Sequence, residues 1–306
     1  MSETTSSTGS DALYAKYKPL LFSLAYRMTG SAAEAEDVVQ DVFLQWERRS
    51  PAERSLEHPK AYLCKMTVNR CTDLARSARA RRETYVGPWL PEPLLTSSDY
   101  DDPAAYAERD ETLSYAMLLL MERLSPVERA VFVLREAFGF DYEEVAGLVE
   151  KTPANVRKIM SRVRAKLEAD PAEADAPIDR FAAELLQAFH HASSTGDMEP
   201  LFRRLAPDVV LLSDGGGKVF AATVPIETQP RVAAFLGGLL RKPPAHAEVV
   251  PVVVNGGPAL AIFEGLDRSL RTIMSFRFAA DGAVRGIYIV RNPDKLSHVS
   301  RQLRIP

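Results

Sequence analysis

Four residues near the middle of the chain, Arg157, Lys158, Ser161 and Arg162, have the side chains and the spacing to hold a polyanion and read it. They recur three and four positions apart, so on a helix they share one face, while Val156, Ile159, Met160, Val163 and Leu167 make the opposite, apolar one. From Lys151 to Glu168 there are six cations and one anion. That density suits phosphates, and exposed arginines and a serine can reach base edges in a major groove. A packed helical hairpin with merely solvated charges has the same periodicity. The charge excess favours DNA.

Two elements must position this face. Asp141 is placed to cap a helix, with Glu144 three positions on to return the bond, and Val145, Leu148 and Val149 supply an apolar stripe. Thr152 followed by Pro153 starts a second helix, since the hydroxyl takes an orphan amide and proline suits the first helical position. Ala146, small and near the turn, lets the two cross closely, as a helix-turn-helix requires.

Two earlier stretches carry further candidate chemistry. AAEAEDVVQDVFLQWER, from Ala32, reads as a helix burying Val38, Val39, Val42, Phe43 and Trp46, with Glu34, Glu36, Asp37, Gln40 and Asp41 on its other side. A solvated face is the ordinary explanation of such an acidic run. After His58 and Pro59, the stretch from Lys60 to Arg82 holds seven Lys or Arg against one Asp. There Asn69, Arg70, Arg76, Arg79, Arg81 and Arg82 could track a nucleic-acid backbone, although snorkelling surface arginines would look alike.

Composition sets bounds on these readings. A length of 306 residues suggests two or three domains, and an apolar content of 46% is enough for their cores. The formal net charge of −3 opposes approach to phosphate, so DNA binding is expected to need a partner. Cys64 and Cys71 stand seven apart in a helical pattern, about 10 Å, too far for a disulfide, and read as reduced and structural. No stretch approaches the roughly 18 apolar residues of a membrane span, and the Ser/Thr-rich start lacks a signal pattern. A cytoplasmic protein without membrane attachment is expected.

The order of the acidic DVVQDVFLQW helix, the PKAYLCKMTVNRCTDLARSARARR helix and a helix-turn-helix introduced by LSPVERAVFVLREAFGFDYEEVA resembles a bacterial sigma factor of the extracytoplasmic-function group, over about Ala12 to Ala169. The resemblance implies that Asp37, Gln40, Asp41, Phe43 and Trp46 lie on or beneath the surface that binds the β′ clamp helices of core RNA polymerase, and that the β flap is a further contact of the protein. It implies that the Asn69 to Arg82 helix and the Ser50 to His58 loop engage the −10 promoter element. By the same resemblance Arg157, Lys158, Ser161 and Arg162 read the −35 element.

The chain then departs from the plain family. TYVGPWLPEPLL, Thr84 to Leu95, has three prolines and a glycine that forbid a continuous helix, and Trp89 with Leu90 is too apolar for idle linker. Ser97 to Leu113 sets Asp99, Asp101, Asp102, Glu108, Asp110 and Glu111 against Arg109. That is either a solubilising spacer or, by the resemblance, an imitation of nucleic acid. Beyond ADPAEADAP the signals change to helix, then strand. Val209 to Leu212 is a short apolar run, and Val232 to Leu240 is expected to be helical. Glu248 to Asn255, Ala259 to Glu264, Ser269 to Phe278 and Val284 to Val290 are β-rich runs separated by Asn-Gly-Gly, Asp267 and Asp281-Gly282, expected to pair as an antiparallel meander. This pattern resembles the SnoaL-like cone. WLPEP (Trp89, Leu90, Pro91, Glu92, Pro93), DGGGK (Asp214, Gly215, Gly216, Gly217, Lys218) and NPDKL (Asn292, Pro293, Asp294, Lys295, Leu296) resemble the signatures of a sigma subgroup with such a domain fused in place of a separate anti-sigma factor. The resemblance implies that these residues form a regulatory contact.

The expected architecture is therefore two all-α sigma domains, the second with the helix-turn-helix, followed by an α+β SnoaL-like cone with a curved antiparallel sheet. The boundaries are a disordered tail over 1–10, a region 2 domain with the WLPEP segment over 11–95, an acidic linker over 96–112, a region 4 domain over 113–169, a linker over 170–177 and the regulatory domain over 178–306. The expected function is an alternative sigma factor, not an enzyme, regulated in cis. Asp208, Asp214 and His246 are the candidates for catalysis in the cone, but no second group stands at a spacing that makes a pair. No Cys or His set has metal-ligand spacing, and no cofactor is expected. A small-molecule ligand for the cone stays open. The competing reading is a one-component, ligand-binding helix-turn-helix transcription factor, which would have no use for the acidic helix. An enzyme tethered to a DNA-binding module is a third.

Overall fold

The computed structural model describes residues 4–49, 58–96, 114–168, 178–241, 244 and 246–303. The expected loop over 50–57, the acidic linker over 97–112 and the linker over 170–177 lie outside these residues. Packing divides the chain into two compact units: one holds Met1–Arg81 and Leu120–Asp170, the other Arg82–Thr96, Ser114–Leu119 and Pro171–Pro306. Arg82–Thr96 thus packs with the C-terminal residues, whereas the sequence reading closed the first domain at 95. Among the described residues no helix is long and apolar enough to cross a membrane.

In the first unit, α1 (Thr4–Thr29), α2 (Ala32–Glu47) and α3 (Pro59–Glu83) come first. α1 starts at Thr4, inside the stretch expected as a tail over 1–10; once a helix is nucleated, each further residue costs little. Gly30, at φ +71°, stops α1, and Ser31 caps α2 by accepting the Glu34 amide at 3.1 Å. Val38, Val39, Val42, Phe43 and Trp46 are buried from α2, and Leu63, Cys64, Val68 and Cys71 from α3. Burial pushes the Cys64 thiol up to about 12, with Lys60 offsetting a little, so it stays a neutral core group.

After α4 (Tyr115–Met121), Ser125 and Glu128 form a reciprocal capping box that starts α5 (Pro126–Phe132), which runs on into a π-helical turn over Val133–Ala137. Asp141 and Glu144 form the second such box, at 2.8 Å each way, and start α6 (Tyr142–Leu148). Glu150 turns the chain at φ +54°, and Thr152 accepts the Asn155 amide as α7 (Pro153–Glu168) begins. Val145, Ala146 and Leu148 bury against Val156, Ile159, Met160 and Val163. Charged side chains enter this interior too, Arg27 and Arg129 among them. Arg129 of α5 donates to the Met121 carbonyl at 3.0 Å and the Met28 carbonyl at 2.8 Å, and pairs with Glu122 at 2.5 Å.

The second unit is built on a six-stranded sheet in the order β2-β1-β6-β5-β4-β3. Its strands are β1 (Leu205–Asp214), β2 (Ile226–Glu227), β3 (Glu248–Val254), β4 (Gly257–Glu264), β5 (Ser269–Phe278) and β6 (Val284–Val290). Strands β3 to β6 form the expected antiparallel meander. The sheet as a whole is mixed, which corrects the antiparallel expectation: β1 runs parallel to β6, with Leu211 opposite Ile287 and Asp214 opposite Val290. Parallel neighbours need a long connection, and the intervening helix and four strands provide it.

The two faces of the sheet are covered differently. Leu211, Ile287, Ile289, Met274 and Phe276 face α8 (Ile178–Thr195), the short α9 (Glu199–Phe202) and α10 (Gln229–Arg241), whose Leu185, Phe189, Leu201, Val232 and Leu236 complete that core. Tyr288, Val290, Ile273 and Ala261 face the other way, toward Leu90, Tyr115 and α11 (Pro293–Gln302), which contributes Leu296 and Val299. The end of the chain is therefore an amphipathic helix seated in the core.

Candidate functional site: a basic helix face and a linker clasp

The face proposed for DNA is presented by α7 as its periodicity requires. Arg157, Lys158, Ser161 and Arg162 are all exposed, on the side away from the buried Val156, Ile159, Met160 and Val163. Arg157 pairs with Glu143 at 3.0 Å and stacks 5.2 Å from the Tyr142 ring, contacts that hold the guanidinium beside the turn. Pairing at this exposure contributes little and is easily exchanged for a phosphate or base.

On α2, Asp37 and Gln40 are exposed, Asp41 is partly so, and Phe43 and Trp46 are buried at 5% and 3%, beneath the surface. On α3, Asn69 is exposed, Arg76 pairs with Asp73 at 3.1 Å, and the Arg79 side chain lies outside the described residues. Arg70 and Asp41, assigned by sequence to different partners, bond each other: Arg70 Nε and Nη2 lie 3.0 and 2.9 Å from Asp41 Oδ2. Both are about 40% exposed, so either can change partner at small cost.

The three short strings converge inside the second unit, and parallel pairing is the cause. Two parallel neighbours end side by side, so Asp214 at the end of β1 adjoins Asn292 just past β6, where the Arg291 and Asn292 amides donate to the Asp214 carbonyl at 2.8 and 2.9 Å. Gly216, at φ +61°, then turns against Asn292. A Cβ there would sit 2.3 Å from the Asn292 Nδ2, so only glycine fits. Lys218 and Asp294 add an exposed pair at 2.5 Å.

The Asp214 side chain is fully buried and its carboxylate is the hub. Oδ1 accepts the Tyr85 hydroxyl at 2.6 Å and the Gly216 amide at 3.0 Å; Oδ2 accepts the Leu90 amide at 2.9 Å and the Lys295 ammonium at 2.7 Å. Lys295, also buried, donates to the Leu90 carbonyl at 2.6 Å and lies 4.0 Å over the Trp89 ring. Asn292 donates to the Tyr85 oxygen at 2.9 Å. Burial first, then the bond to Asp214, raises the Tyr85 hydroxyl above the ordinary tyrosine range, which keeps it a donor.

From this hub the strap crosses the sheet. Leu90 is fully buried, Pro91 and Pro93 are buried, and the Leu94 amide donates to the Asn255 side chain at 3.1 Å. Leu95 then bridges antiparallel to Val254, and the Thr96 amide donates to the Val253 carbonyl at 2.9 Å. From β1 to β3 is four strand spacings, roughly 19 Å, which the extended, proline-stiffened segment spans. Proline has no N–H to satisfy, so two prolines cross the apolar face without a stranded donor. Tyr115 ties in the other end of the linker, donating to the Pro91 carbonyl at 2.7 Å and packing 5.6 Å from the Tyr288 ring. Sequence reasoning missed Tyr85, Tyr115 and Asn255, which belong to none of the three strings. For Tyr85 the one available signal was its place beside Val86-Gly87 in the proline-rich stretch.

The catalytic candidates are not brought together. Both Asp214 oxygens are engaged, Asp208 is exposed and paired with Arg285 at 3.5 Å, and His246 is exposed on a turn at φ +55°. Six residues of one strand, about 20 Å, separate the two aspartates.

Comparison with known proteins agrees with the helical part. The Sigma-70 region 2 model matches residues 13–81, and the Sigma-70 region 4 model matches residues 114–167. The ECF RNA polymerase sigma factor SigJ of Mycobacterium tuberculosis is 34% identical over 283 residues, covering 90% of this chain and 90% of that protein. The probable ECF RNA polymerase sigma factor SigI of the same organism is 28% identical over 296 residues, covering 95% and 96%. The crystal structure of M. tuberculosis SigJ superposes with a TM-score of 0.71 at 28% identity, over 94% of this chain and 98% of that one. With helical regions of matching type and order, and with likeness that runs on through the six-stranded α+β unit, this chain belongs to the extracytoplasmic-function sigma factors, which direct RNA polymerase in transcription initiation.

Proposed function

We propose that α2 docks on core RNA polymerase through Asp37, Gln40 and Asp41 above Phe43 and Trp46, with the β′ clamp helices as its contact and the β flap as that of the region 4 helices. In this reading α3 engages the −10 element and α7 reads the −35 element, in the cytoplasm. The observation that carries the reading is the exposed Arg157, Lys158, Ser161 and Arg162 face on a capped and buried helix. The acidic face of α2 supports it, because the formal charge of −3 makes unaided approach to DNA unfavourable and a polymerase partner supplies the missing attraction.

The C-terminal unit, in the same reading, regulates in cis. Trp89 to Pro93, Asp214 to Lys218 and Asn292 to Lys295 hold the strap and so shorten the free linker between α3 and α4; releasing the strap lengthens it. Run-off transcription with purified core polymerase and a matched promoter tests the whole reading. Core-dependent transcripts that vanish with Arg157→Ala and Arg162→Ala together are expected. DNA binding of equal strength and sequence preference with and without core would refute it, and would favour a one-component regulator.

A further inference from the structure

Arg157 is held in a way that its cationic neighbours on the DNA face are not. Its Nη2 donates to the Glu143 carboxylate at 3.0 Å, and its guanidinium lies 5.2 Å from the Tyr142 ring. Among the described residues, Lys158 and Arg162 make no hydrogen bond, ion pair or ring contact. The Tyr142 ring is itself held. Arg135, in the π-helical turn after α5, donates to the Phe140 carbonyl at 2.8 Å and lies 4.8 Å from the same ring. Tyr142 is half-buried at the start of α6, and the capping box beside it turns Glu144 back to the Asp141 amide at 2.8 Å. Glu144 is thus engaged with its own helix, and the exposed Glu143 is the carboxylate that meets α7.

Contacts this exposed add little to stability: the Arg157 and Glu143 side chains are 54% and 66% exposed. What they supply is direction. A free arginine must give up rotamer freedom to face one base, and ordering one such side chain at an interface weakens its contact by about two- to tenfold. An arginine already set against a ring has lost that freedom beforehand. The ring contact uses no N–H and Glu143 uses one, so neighbouring N–H groups remain for the O6 and N7 of a guanine. The carboxylate also acts on affinity in the opposite sense, because it sets a negative charge on a face that approaches phosphates.

Given the −35 assignment of α7, on which this rests, we propose that Tyr142 and Glu143 are positioning residues for promoter reading: they aim Arg157 at a single guanine of the −35 element. Glu143 lowers general affinity for DNA while it sharpens that one position. Arg135 acts one step further back, through the ring.

The test offers core polymerase loaded with the full-length chain a pool of duplexes randomised over both promoter elements, and counts bound and unbound sequences. Arg157→Ala is expected to abolish a guanine preference at one −35 position. Tyr142→Leu and Glu143→Ala are each expected to reduce that same preference about two- to tenfold and to leave the −10 preferences as they are. Glu143 is exposed, so its variant keeps the fold, and it is also expected to bind the pool as a whole more tightly, a pairing of gain and loss that a damaged helix does not give. Tyr142→Phe keeps the ring and is expected to restore the preference lost in Tyr142→Leu. Adding Tyr142→Leu to Arg157→Ala is expected to change nothing further, because the effect runs through the guanidinium. Where Arg157→Ala relaxes its position, an unchanged guanine preference in either Tyr142→Leu or Glu143→Ala, or a loss spread evenly over every position, would overturn the proposal and leave the −35 assignment standing. If Arg157→Ala relaxes no position, the assignment fails and the proposal falls with it.

Discussion

Replacing Lys295 by Met tests whether the buried cluster is a clasp on the strap or part of the core. The ammonium is one of four donors to Asp214, 2.7 Å from Oδ2, and it also holds the Leu90 carbonyl at 2.6 Å. Removing one partner of a buried pair costs about 3 to 5 kcal/mol, because the other charge is left without its counter-ion. Here Tyr85, the Leu90 amide and the Gly216 amide still hold the carboxylate, which places the cost near the lower figure, about 3 kcal/mol. If that loss falls on the docked strap alone, its open population rises about 150-fold, at one decade per 1.4 kcal/mol. Amide hydrogen exchange reads this residue by residue. The Leu90, Leu94 and Thr96 amides donate to Asp214, Asn255 and Val253, so their exchange is expected to accelerate by about that factor while β5 and β6 keep their protection. Unchanged protection at Leu90 would show that Lys295 does not hold the strap. Acceleration shared equally by strap and sheet would show that the cluster supports the fold, and the regulatory reading would lose its hinge.

Three other outcomes are expected. Asp37→Lys should abolish retention of core polymerase in a pull-down without changing the thermal transition, since like charge set against a basic partner costs several kcal/mol; Asp37 is a cleaner probe than Asp41, whose carboxylate is bonded to Arg70. Arg162→Ala should cost about 1 to 3 kcal/mol on the preferred −35 sequence and relax one position, whereas equal loss on every −35 variant would mean a phosphate contact only. The raised ionisation of Tyr85 gives a pH dependence: the neutral hydroxyl is bonded in the folded state, so its contribution is whole below the ordinary tyrosine value near 10 and is lost as pH rises beyond it. In a spectrophotometric titration of the ten tyrosines, Tyr85→Phe should remove a late-ionising phase, and a titration that keeps its late phase would contradict the bond to Asp214.

Much of the helical part was legible in the sequence because its determinants are local. Asp141 with Glu144, Ser125 with Glu128, and Thr152 before Pro153 are signals within four residues of the bonds they make, and the basic face of α7 follows from spacing alone. The last helix was legible too. Asn292 and Pro293 make a cap and a first-turn proline, and Leu296, Val299 and Leu303 recur at helical intervals, although the sequence reading stated no helix there. Arg129 was not legible: nothing around an arginine in a capped helix says that it will meet a carbonyl 101 residues away.

The clasp depends on the least local feature of the fold. Asp214 and Lys295 are 81 residues apart, and Leu90 and Lys295 are 205 apart, so no periodicity in either stretch can report their meeting. An antiparallel β1 would have carried Asp214 to the opposite end of the sheet from Asn292; parallel pairing with β6 sets both at one end. Register then fixes the face. Leu212, two residues before Asp214, packs in the same layer as Leu90 and Tyr288, while Leu211 points to the helices. A one-residue slip of β1 would turn Asp214 toward α10 and bury an unpaired carboxylate there. The apolar alternation of β1 therefore does two things at once: it fills the core beneath the helices, and it holds a charged hub on the face where the strap lies.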